Sequence, residues 1–431
     1  MLTNATALKA FKGSIARTSA SLCIPVVIRA NMSSSIPAPA PNAPVLRARA
    51  VPCAFVPHSG TSAAYPIALS SHALAIEPTS RQAYLFGGEL KPRQPVGDEV
   101  RAIINLDSAN PDDEESTRVY ARPRTAEEGQ GWPSPRVGAT FTAGDGGFIY
   151  LWGGRGGKEM APLEAEESSI WRFSTTEQAW ERFDTKGERP EPRSYHTAAY
   201  AQGKLYVHAG CPKSGRLSTL HALDVTSFQW KSLPSAPGRE RGGTVLTTIP
   251  SPFVEDPSKL VLARWGGFSG EELGGPLDIF DPSSNEWTSY PVHLSTAEQE
   301  PPKRSVHGFV PFKTAPALSL AGGEQTRVLA VLFFGEGEGA PKELGHDGAG
   351  KFLSDVYLLT ASAAASASPN FSFVPISLQP ASSFTKTPEP RGWFAFDAVS
   401  TGPNSLQIVI HGGLNEANER LHDAWSLDIR V

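Results

Sequence analysis

A short apolar run that ends in a glycine pair, or in a close remnant of one, recurs six times along this chain. Aromatic and β-branched residues favour strands, and the glycines favour a tight turn where each strand ends. Counted from the last glycine, successive instances lie 66, 56, 57, 68 and 78 residues apart. Such a recurrence indicates one repeat architecture rather than several unrelated domains. The six instances are 84–88, 150–154, 206–210, 263–267, 332–335 and 409–413.

Each repeat can be divided into four strands. A leading arginine, usually in a Pro-Arg pair, opens the first strand; the second runs into the glycines; the fourth starts near Trp180, Trp230 or Trp287. The last repeat lacks a fourth strand, so we expect a strand at 46–56 to complete it and close the ring. With insertions allowed, the spacing is near the roughly 50-residue kelch period. The sequence therefore predicts an all-β, six-bladed kelch-type β-propeller.

Composition narrows the class of partner. A net charge of -5 gives no polycationic surface for nucleic acid or anionic lipid. No uninterrupted apolar run approaches the roughly 18 residues of a membrane span. The cysteines are Cys23, Cys53 and Cys211, an odd number without CxxC spacing, which disfavours a disulfide framework or zinc site and fits a reducing compartment. We expect a small-molecule metabolite or a protein as partner, and neither nucleic acid nor membrane.

The N-terminal segment differs from the rest of the chain. The first 76 residues contain no Asp or Glu, a bias typical of mitochondrial presequences. The alternative is an untargeted leader on a cytoplasmic protein, with translation starting at Met1 or Met32. Segment 33–44 is rich in Ser, Pro and Ala, as in flexible linkers. We predict a disordered leader at 1–44 and the propeller at 45–431, with the polar segment 114–131 as an inserted loop.

Several motifs resemble one family more closely than kelch proteins in general. From about residue 70 to 431 the chain is similar to the plant nitrile-specifier, epithiospecifier and thiocyanate-forming proteins. This resemblance implies iron(II)-dependent lyases or rearrangement catalysts that act on glucosinolate aglucones, with a Glu, an Asp and a His of one loop as proposed metal ligands. The matching motifs are FGGELKPRQPV at 86–96, PRSYH at 192–196, KRSV at 303–306, PRGW at 390–393 and GHDGAGKF at 345–352.

The resemblance assigns the metal ligands to one loop of the fifth repeat. Glu336 takes the Glu position and His346 the His position, but Ala340 stands where the family has Asp. Carboxylate and imidazole ligands suit Fe(II), and Glu338 or Glu343 could replace the missing Asp. We therefore predict an iron(II) site among Glu336, Glu338, Glu343 and His346, with Glu336 and His346 as the catalytic residues. The alternative is a solvated loop with an isolated histidine.

Arginines are the candidates for binding an anionic substrate group. If they point into the central channel, they form a cationic ring suited to a carboxylate, sulfate or phosphate. Alternatively, they pair with acids of the blades and fix the turns, because repeated residues usually serve the repeat itself. The predicted substrate-binding residues are Arg155, Arg193, Arg241 and Arg391.

Two functions are compatible with these residues. The first is a propeller that binds a small anionic or sulfur-bearing metabolite and directs a non-redox elimination or rearrangement. The second is a non-catalytic scaffold for protein interactions on the same fold, because a fold alone does not determine function.

Overall fold

The computed structural model describes residues 47–53, 67–97, 99–103, 106, 117–121, 131–163, 169–296, 299–320, 323–341, 343, 348, 350–362, 368–380 and 385–431. Every regular element in these ranges is a β-strand, which confirms the all-β prediction. The ranges all belong to one compact unit at 41–431, whereas the predicted leader at 1–44 lies outside them. No helix in these ranges is long and apolar enough to cross a bilayer.

The described strands form six blades around a central axis. The inner strands of consecutive blades contact one another, and the inner strand of the last blade contacts that of the first. The predicted six-bladed propeller is therefore confirmed. From inner to outer strand, the first three blades are β2 (Ser70–Glu77), β3 (Gln82–Glu89), β4 (Glu99–Ile103) and β5 (Thr117–Ala121); β6 (Thr140–Ala143), β7 (Phe148–Trp152), β10 (Ser169–Ser174) and β11 (Ala179–Asp184); and β13 (Thr197–Ala201), β14 (Lys204–His208), β15 (Leu220–Asp224) and β16 (Gln229–Leu233).

The other three blades follow the same order, and short strands decorate the scaffold. Blades four to six are β17 (Val245–Pro250), β18 (Leu260–Trp265), β19 (Leu277–Asp281) and β20 (Glu286–Tyr290); β22 (Gly308–Pro311), β24 (Gln325–Phe333), β27 (Val356–Ser362) and β28 (Phe371–Pro380); and β29 (Ala395–Gly402), β30 (Ser405–His411), β31 (Ala424–Arg430) and β1 (Arg47–Cys53). The short strands are β8 (Arg155–Gly156), β9 (Ala161–Pro162), β12 (Lys186–Gly187), β21 (Val292–Leu294), β23 (Ala317–Ser319), β25 (Glu336–Glu338) and β26 (Lys351–Phe352).

The N-terminal strand closes the ring. β1 pairs antiparallel with β31, from Ala48 opposite Ile429 to Cys53 opposite Ala424. On its other side β1 pairs in parallel with β28 of the neighbouring blade. The expected closing strand at 46–56 is therefore confirmed, and both edges that it covers are protected from pairing with other chains.

The fourth strands show where sequence patterns succeeded and where they failed. Trp180, Trp230 and Trp287 lie in outer strands, as predicted. Trp180 also reaches the first blade, where its ring centroid lies 5.1 Å from that of Phe86. The prediction that 114–131 is only a loop is wrong, because β5 lies inside it and completes the first blade. An outer strand faces solvent widely and tolerates polar residues, so its apolar signal is weak.

Each glycine turn is bonded to the next blade. In every described turn, the second residue donates its N–H to the carbonyl of the residue that leads the next inner strand, over 2.8–2.9 Å. Both residues of each turn have positive φ, from 54° to 113°, a region that favours glycine. A Cβ on Gly335 would lie 2.5 Å from the Cβ of His307, so this position also needs glycine for space. The sequence repeat is thus a repeat of contacts between blades.

A second set of hydrogen bonds encircles the axis. The residue two positions after each leading residue donates its backbone N–H to the carbonyl of the corresponding residue in the neighbouring blade, over 2.7–3.3 Å. Ser71 donates to Trp393, which closes the circle. We call these residues the axial ring; within the described chain they are Ser71, Gly138, Tyr195, Gly243, Val306 and Trp393, all with positive φ.

The leading arginines are structural in five blades of the described chain. Arg193 is 1% exposed and donates from Nε to the Glu191 carbonyl and from Nη1 to the Ala209 carbonyl in the glycine turn. Arg136, Arg241, Arg304 and Arg391 repeat both contacts. Arg304 and Arg391 additionally pair with Asp355 and Asp423. The guanidinium groups therefore satisfy carbonyls that the tight turns leave without strand partners.

Removal of the closing strand tests ring closure. A chain that begins at residue 45 should melt like the full chain. One that begins at residue 54 should melt at least ~5 °C lower, because it loses the β1 pairing with β31 and β28. Differential scanning fluorimetry and size-exclusion chromatography would check this result. Equal melting temperatures for the two truncated chains would contradict closure by β1.

Replacement of a leading arginine tests its structural role. Arg304→Met should lower the free energy of unfolding by about 3–5 kcal/mol, because it leaves Asp355 and buried carbonyls without their partner. The matched control is Arg239→Met, an exposed arginine paired with Glu271, for which we expect a loss below about 1 kcal/mol. Urea denaturation measures both values. A loss for Arg304→Met as small as for the control would contradict the assignment.

Candidate functional site

Glu336 lies on the face of the propeller that carries the glycine turns, next to the axial ring. It starts β25, and its backbone carbonyl accepts a 2.9 Å hydrogen bond from the Ser305 N–H. The side chain is buried, and Oε2 accepts a 3.1 Å hydrogen bond from Nε1 of Trp393. Burial raises the pKa of the Glu336 carboxyl, whereas the donors Trp393 and Gly350 lower it. This predicted catalytic residue is thus held close to the axis.

The other predicted ligands do not join Glu336 within the described chain. Glu338 is exposed, and its Oε2 lies 2.5 Å from Nζ of Lys351. Glu343 is exposed, and His346 lies outside the described residues. Among the residues described, no group of three or more His, Cys, Asp or Glu side chains could hold a metal ion. The described donors do not form the carboxylate and imidazole set that the iron prediction requires, and this prediction stays untested.

Glu272 is a second buried carboxyl that the sequence reasoning missed. It follows the glycine turn of the fourth blade, where its backbone bridges to Phe268. The residue is only 6% exposed, and its Oε2 is buried without a hydrogen-bond partner among the described residues. Burial raises the pKa of Glu272 to about 8; Ser305 and Arg216 oppose this rise, and the charge of Glu336 adds to it. Glu272 lies five residues after Gly267, whereas Glu336 directly follows Gly335, so no shared repeat position marked Glu272 in the sequence.

The four predicted substrate-binding arginines occupy two environments. Arg193, Arg241 and Arg391 are buried in the turns described above. Arg155 is partly exposed: its Nε donates to Ser194 Oγ over 2.7 Å, and its guanidinium carbon lies 5.3 Å from the ring centroid of Tyr195. Of the four, only Arg155 contacts a side chain of the axial ring in the described structure.

Aromatic side chains of the axial ring connect these groups. The rings of Tyr195 and Trp393 meet edge to face, with centroids 5.4 Å apart. Tyr195 therefore contacts Arg155 on one side, and Trp393 contacts Glu336 on the other. Burial raises the pKa of Tyr195 to about 12, so its hydroxyl stays protonated near neutral pH.

Arg216 supplies another cation, which the sequence reasoning also missed. Its guanidinium carbon lies 4.7 Å from the ring centroid of Phe268, and its charge lowers the pKa of Glu272. Burial raises the pKa of the Cys211 thiol, although the charges of Arg216 and Arg155 act to lower it. We use the name mouth site for Arg155, Tyr195, Arg216, Glu272, Glu336 and Trp393.

An axial cavity lies beyond the ring, along the inner strands. Its volume is about 530 Å³, and its lining includes the ring residues Tyr195 and Trp393 together with His72, His196 and His307. Burial, followed by the charge of Arg193, lowers the pKa of His196 to about 3. Burial also lowers the pKa of His72 and His307 well below the usual value. These imidazoles are therefore neutral near pH 7, as expected for core histidines of the repeat.

Comparison with known proteins places the fold in a family. A profile of the family described as "KLHDC2/KLHL20/DRC7 Kelch-repeats domain" matches residues 71–323. The chain belongs to the kelch-repeat family. A solved structure described as "Structure of YjhT" shares this kelch fold, with a TM-score of 0.52 and 13% identity over 83% of this chain and 94% of that one.

Curated relatives give two kinds of match to this kelch chain. The N-(sulfonatooxy)prop-2-enimidothioate sulfolyase of Thlaspi arvense is 23% identical over 380 residues, which are 84% of this chain and 92% of the relative. This broad match confirms the predicted resemblance to the specifier-type plant proteins. The tRNA wybutosine-synthesizing protein 2/3/4 of Oryza sativa subsp. japonica is 37% identical over 100 residues, which are 23% of this chain. The chain spans only 9% of that rice protein.

The buried histidines predict a loss of stability in acid. In the folded state His196 has a pKa of about 3, below its unfolded value near 6.5, so the unfolded state binds more protons between these values. The contribution of the neutral His196 imidazole to the free energy of unfolding is therefore fully present above pH 6.5 and is lost as the pH falls toward 3. His196→Gln should flatten the slope of unfolding free energy against pH by up to about 1.4 kcal/mol per pH unit.

Chemical denaturation at several pH values between 4 and 7 would measure that slope. His293→Gln is the control, because His293 is exposed on the short strand β21, and we expect it to keep the slope of the unmodified protein. A slope for His196→Gln equal to that of the unmodified protein would refute the assignment of a buried neutral imidazole.

Proposed function

We propose that the mouth site binds a small anionic or sulfur-bearing metabolite and directs a non-redox elimination or rearrangement. Two observations carry this proposal. The charge of Arg216 acts on the buried carboxyl of Glu272, and a chain of contacts runs from the buried carboxyl of Glu336 through Trp393 and Tyr195 to Arg155. Carboxyls with pKa values displaced by burial, next to specific charge partners, are typical of functional sites. The aromatic pair of Tyr195 and Trp393 lies between the two sets of charged groups.

The broad resemblance to the Thlaspi arvense sulfolyase supports the class of substrate. The name of that relative describes a substrate with a sulfonatooxy group and a sulfur atom. A sulfate leaving group has three terminal oxygens that guanidinium groups recognise through charge-assisted hydrogen bonds. In this chain Arg155 is the predicted arginine with a partly exposed side chain next to the axial ring, so we assign the anionic group to it.

The chemistry assigned to each residue follows from charge. In an elimination, the bond to the leaving group breaks and its electron pair departs with the anion. A fixed cation that faces this anion stabilises the charge that develops there, so Arg155 would lower the barrier. A proton that must leave or join the substrate would be exchanged with the Glu336 carboxyl, which burial and Trp393 hold in place.

The alternative is a non-catalytic scaffold that binds a protein through the same face. Kelch-repeat propellers commonly mediate protein interactions, and loops on a rigid scaffold suit this role. The mouth site distinguishes the two proposals, because a scaffold does not need two carboxyls buried beside its axis.

Replacement of Arg155 tests the anion site. In isothermal titration with 4-nitrophenyl sulfate as the probe, Arg155→Gln should weaken binding about tenfold or more, because a charge-assisted hydrogen bond contributes about 1.5–3 kcal/mol. Arg239→Gln is the control, since that exposed arginine pairs with Glu271 outside the mouth site. Absence of binding to the unmodified protein, or equal binding by Arg155→Gln, would argue for the scaffold.

A further inference from the structure

The axial cavity extends from the axial ring to the far ends of the inner strands. All six ring residues line it, and so do residues that follow inner strands, such as Asp145 after β6 and Lys313 after β22. Asp145, Lys313 and Pro78 are exposed, so the cavity opens on the face opposite the glycine turns. Its volume of about 530 Å³ is large enough for a ligand of metabolite size. We call the end with Asp145 and Lys313 the distal entrance.

One carboxyl group lies inside this cavity. Asp397 is on β29 of the last blade, four residues after the ring residue Trp393, and it lines the cavity with partial exposure. Its Oδ2 accepts the Ile76 N–H of the first blade over 2.7 Å, and its Oδ1 accepts the Ala398 N–H over 2.8 Å. Two backbone donors therefore fix the carboxyl group in the cavity wall, and each oxygen keeps a further lone pair.

No cation of the described chain pairs with Asp397. The other Asp and Lys residues of the cavity lining, Asp145 and Lys313, are exposed at the distal entrance. Among the described residues no Lys, Arg or His forms an ion pair with Asp397. Burial raises the pKa of the Asp397 carboxyl to about 6, although the N–H groups of Ile76 and Ala398 and the charge of Lys313 lower it, so it is ionised at neutral pH. An unpaired carboxylate in surroundings of low dielectric constant attracts a cation strongly.

The hydrogen bond between the two blades does not itself require a charge. Thr197 makes the same kind of contact with a neutral group, because its Oγ1 accepts the Leu246 N–H of the fourth blade over 2.9 Å. A hydroxyl thus joins two inner strands there, where Asp397 uses a carboxylate for Ile76. A buried charge is unfavourable unless something pairs with it. A ligand therefore explains the carboxylate at position 397 better than the joint between blades does.

We propose that the axial cavity binds a small organic ammonium ion, whose charged group lies against the Asp397 carboxylate and whose apolar part lies along the inner strands. An ammonium group donates up to three hydrogen bonds, so it can use the remaining lone pairs of both carboxylate oxygens. Most of the partly exposed apolar residues in the lining are small, which leaves room for a hydrocarbon or aromatic group. These residues are Ala73, Ala139, Ala198, Val245, Phe396 and Ala398.

This site differs from the mouth site in place and in charge. Of the six mouth-site residues, Tyr195 and Trp393 also line the cavity, whereas the two arginines and the two glutamates are not part of its described lining. The ligand enters from the opposite face of the propeller and is a cation rather than an anion. Because the probes for the two sites carry opposite charges, the two proposals can fail separately.

The experiment is isothermal titration of the full chain at pH 7.5 with 2-phenylethylammonium chloride. We expect one ligand per chain, and binding at least about tenfold weaker for Asp397→Asn, which keeps the size of the side chain but loses its charge. Asp256→Asn is the matched control, because Asp256 also accepts a backbone N–H, from Ser258, but is exposed and lies outside the described cavity lining. The uncharged analogue 2-phenylethanol should bind the unmodified protein at least about tenfold more weakly than the ammonium ion.

A second cavity variant guards against loss of the fold. Melting temperatures identify a variant that does not fold, and Ala198→Leu narrows the cavity from the third blade without removing the carboxylate. Ala198→Leu should also weaken binding of the ammonium ion. At one ligand concentration the melting temperature should rise for the unmodified protein and for Asp256→Asn, and should rise less for a folded cavity variant. No binding by the unmodified protein, equal binding of the ammonium ion and the alcohol, or binding by a folded cavity variant equal to that of the control would overturn the proposal.

Discussion

The hydrogen bond from each glycine turn to the leading residue of the next blade is the contact on which the rest of this propeller depends. It joins neighbouring sheets at a fixed point, and it requires two successive residues with positive φ. The leading arginine of the turn's own blade holds the same turn from the other side. For example, Arg193 donates from Nη1 to the Ala209 carbonyl in that turn. Glycine and arginine therefore recur together, because each is half of one joint between blades. The axial ring lies at the inner edge of these joints. Its side chains Tyr195 and Trp393 contact Arg155 and Glu336 of the mouth site.

The proposed site lies where the joints depart from the repeat. Tyr195, Val306 and Trp393 occupy axial ring positions with positive φ, which is uncommon for bulky residues and marks strain that surrounding contacts must hold. Phe334 replaces a glycine in the turn just before Glu336 and also has positive φ. These exceptions lie next to the buried carboxyls and to Arg155. The regular joints supply rigidity, and the irregular ones supply side chains of the proposed site.

The sequence predicted the scaffold because its signals are local and repeated. Glycine turns, outer-strand tryptophans such as Trp230 and the closing strand β1 all lie where the pattern placed them. The first blade's outer strand was missed because a solvated strand needs few apolar residues. The site was harder to predict, because its members come from four or more blades and approach only through the ring. Glu272 carries no local motif. Arg193 and Arg391 share a Pro-Arg motif, but that motif does not show whether an arginine faces the channel or is buried, and the structure buries both.

The central claim is our proposal that the mouth site binds an anionic ligand through Arg155 beside the axial ring. Crystals soaked with 4-nitrophenyl sulfate test it most directly. We expect density for the sulfate group against the Arg155 guanidinium, on the side of the Tyr195 ring. A map with no such density, or with sulfate only at exposed cations such as Lys351, would contradict it.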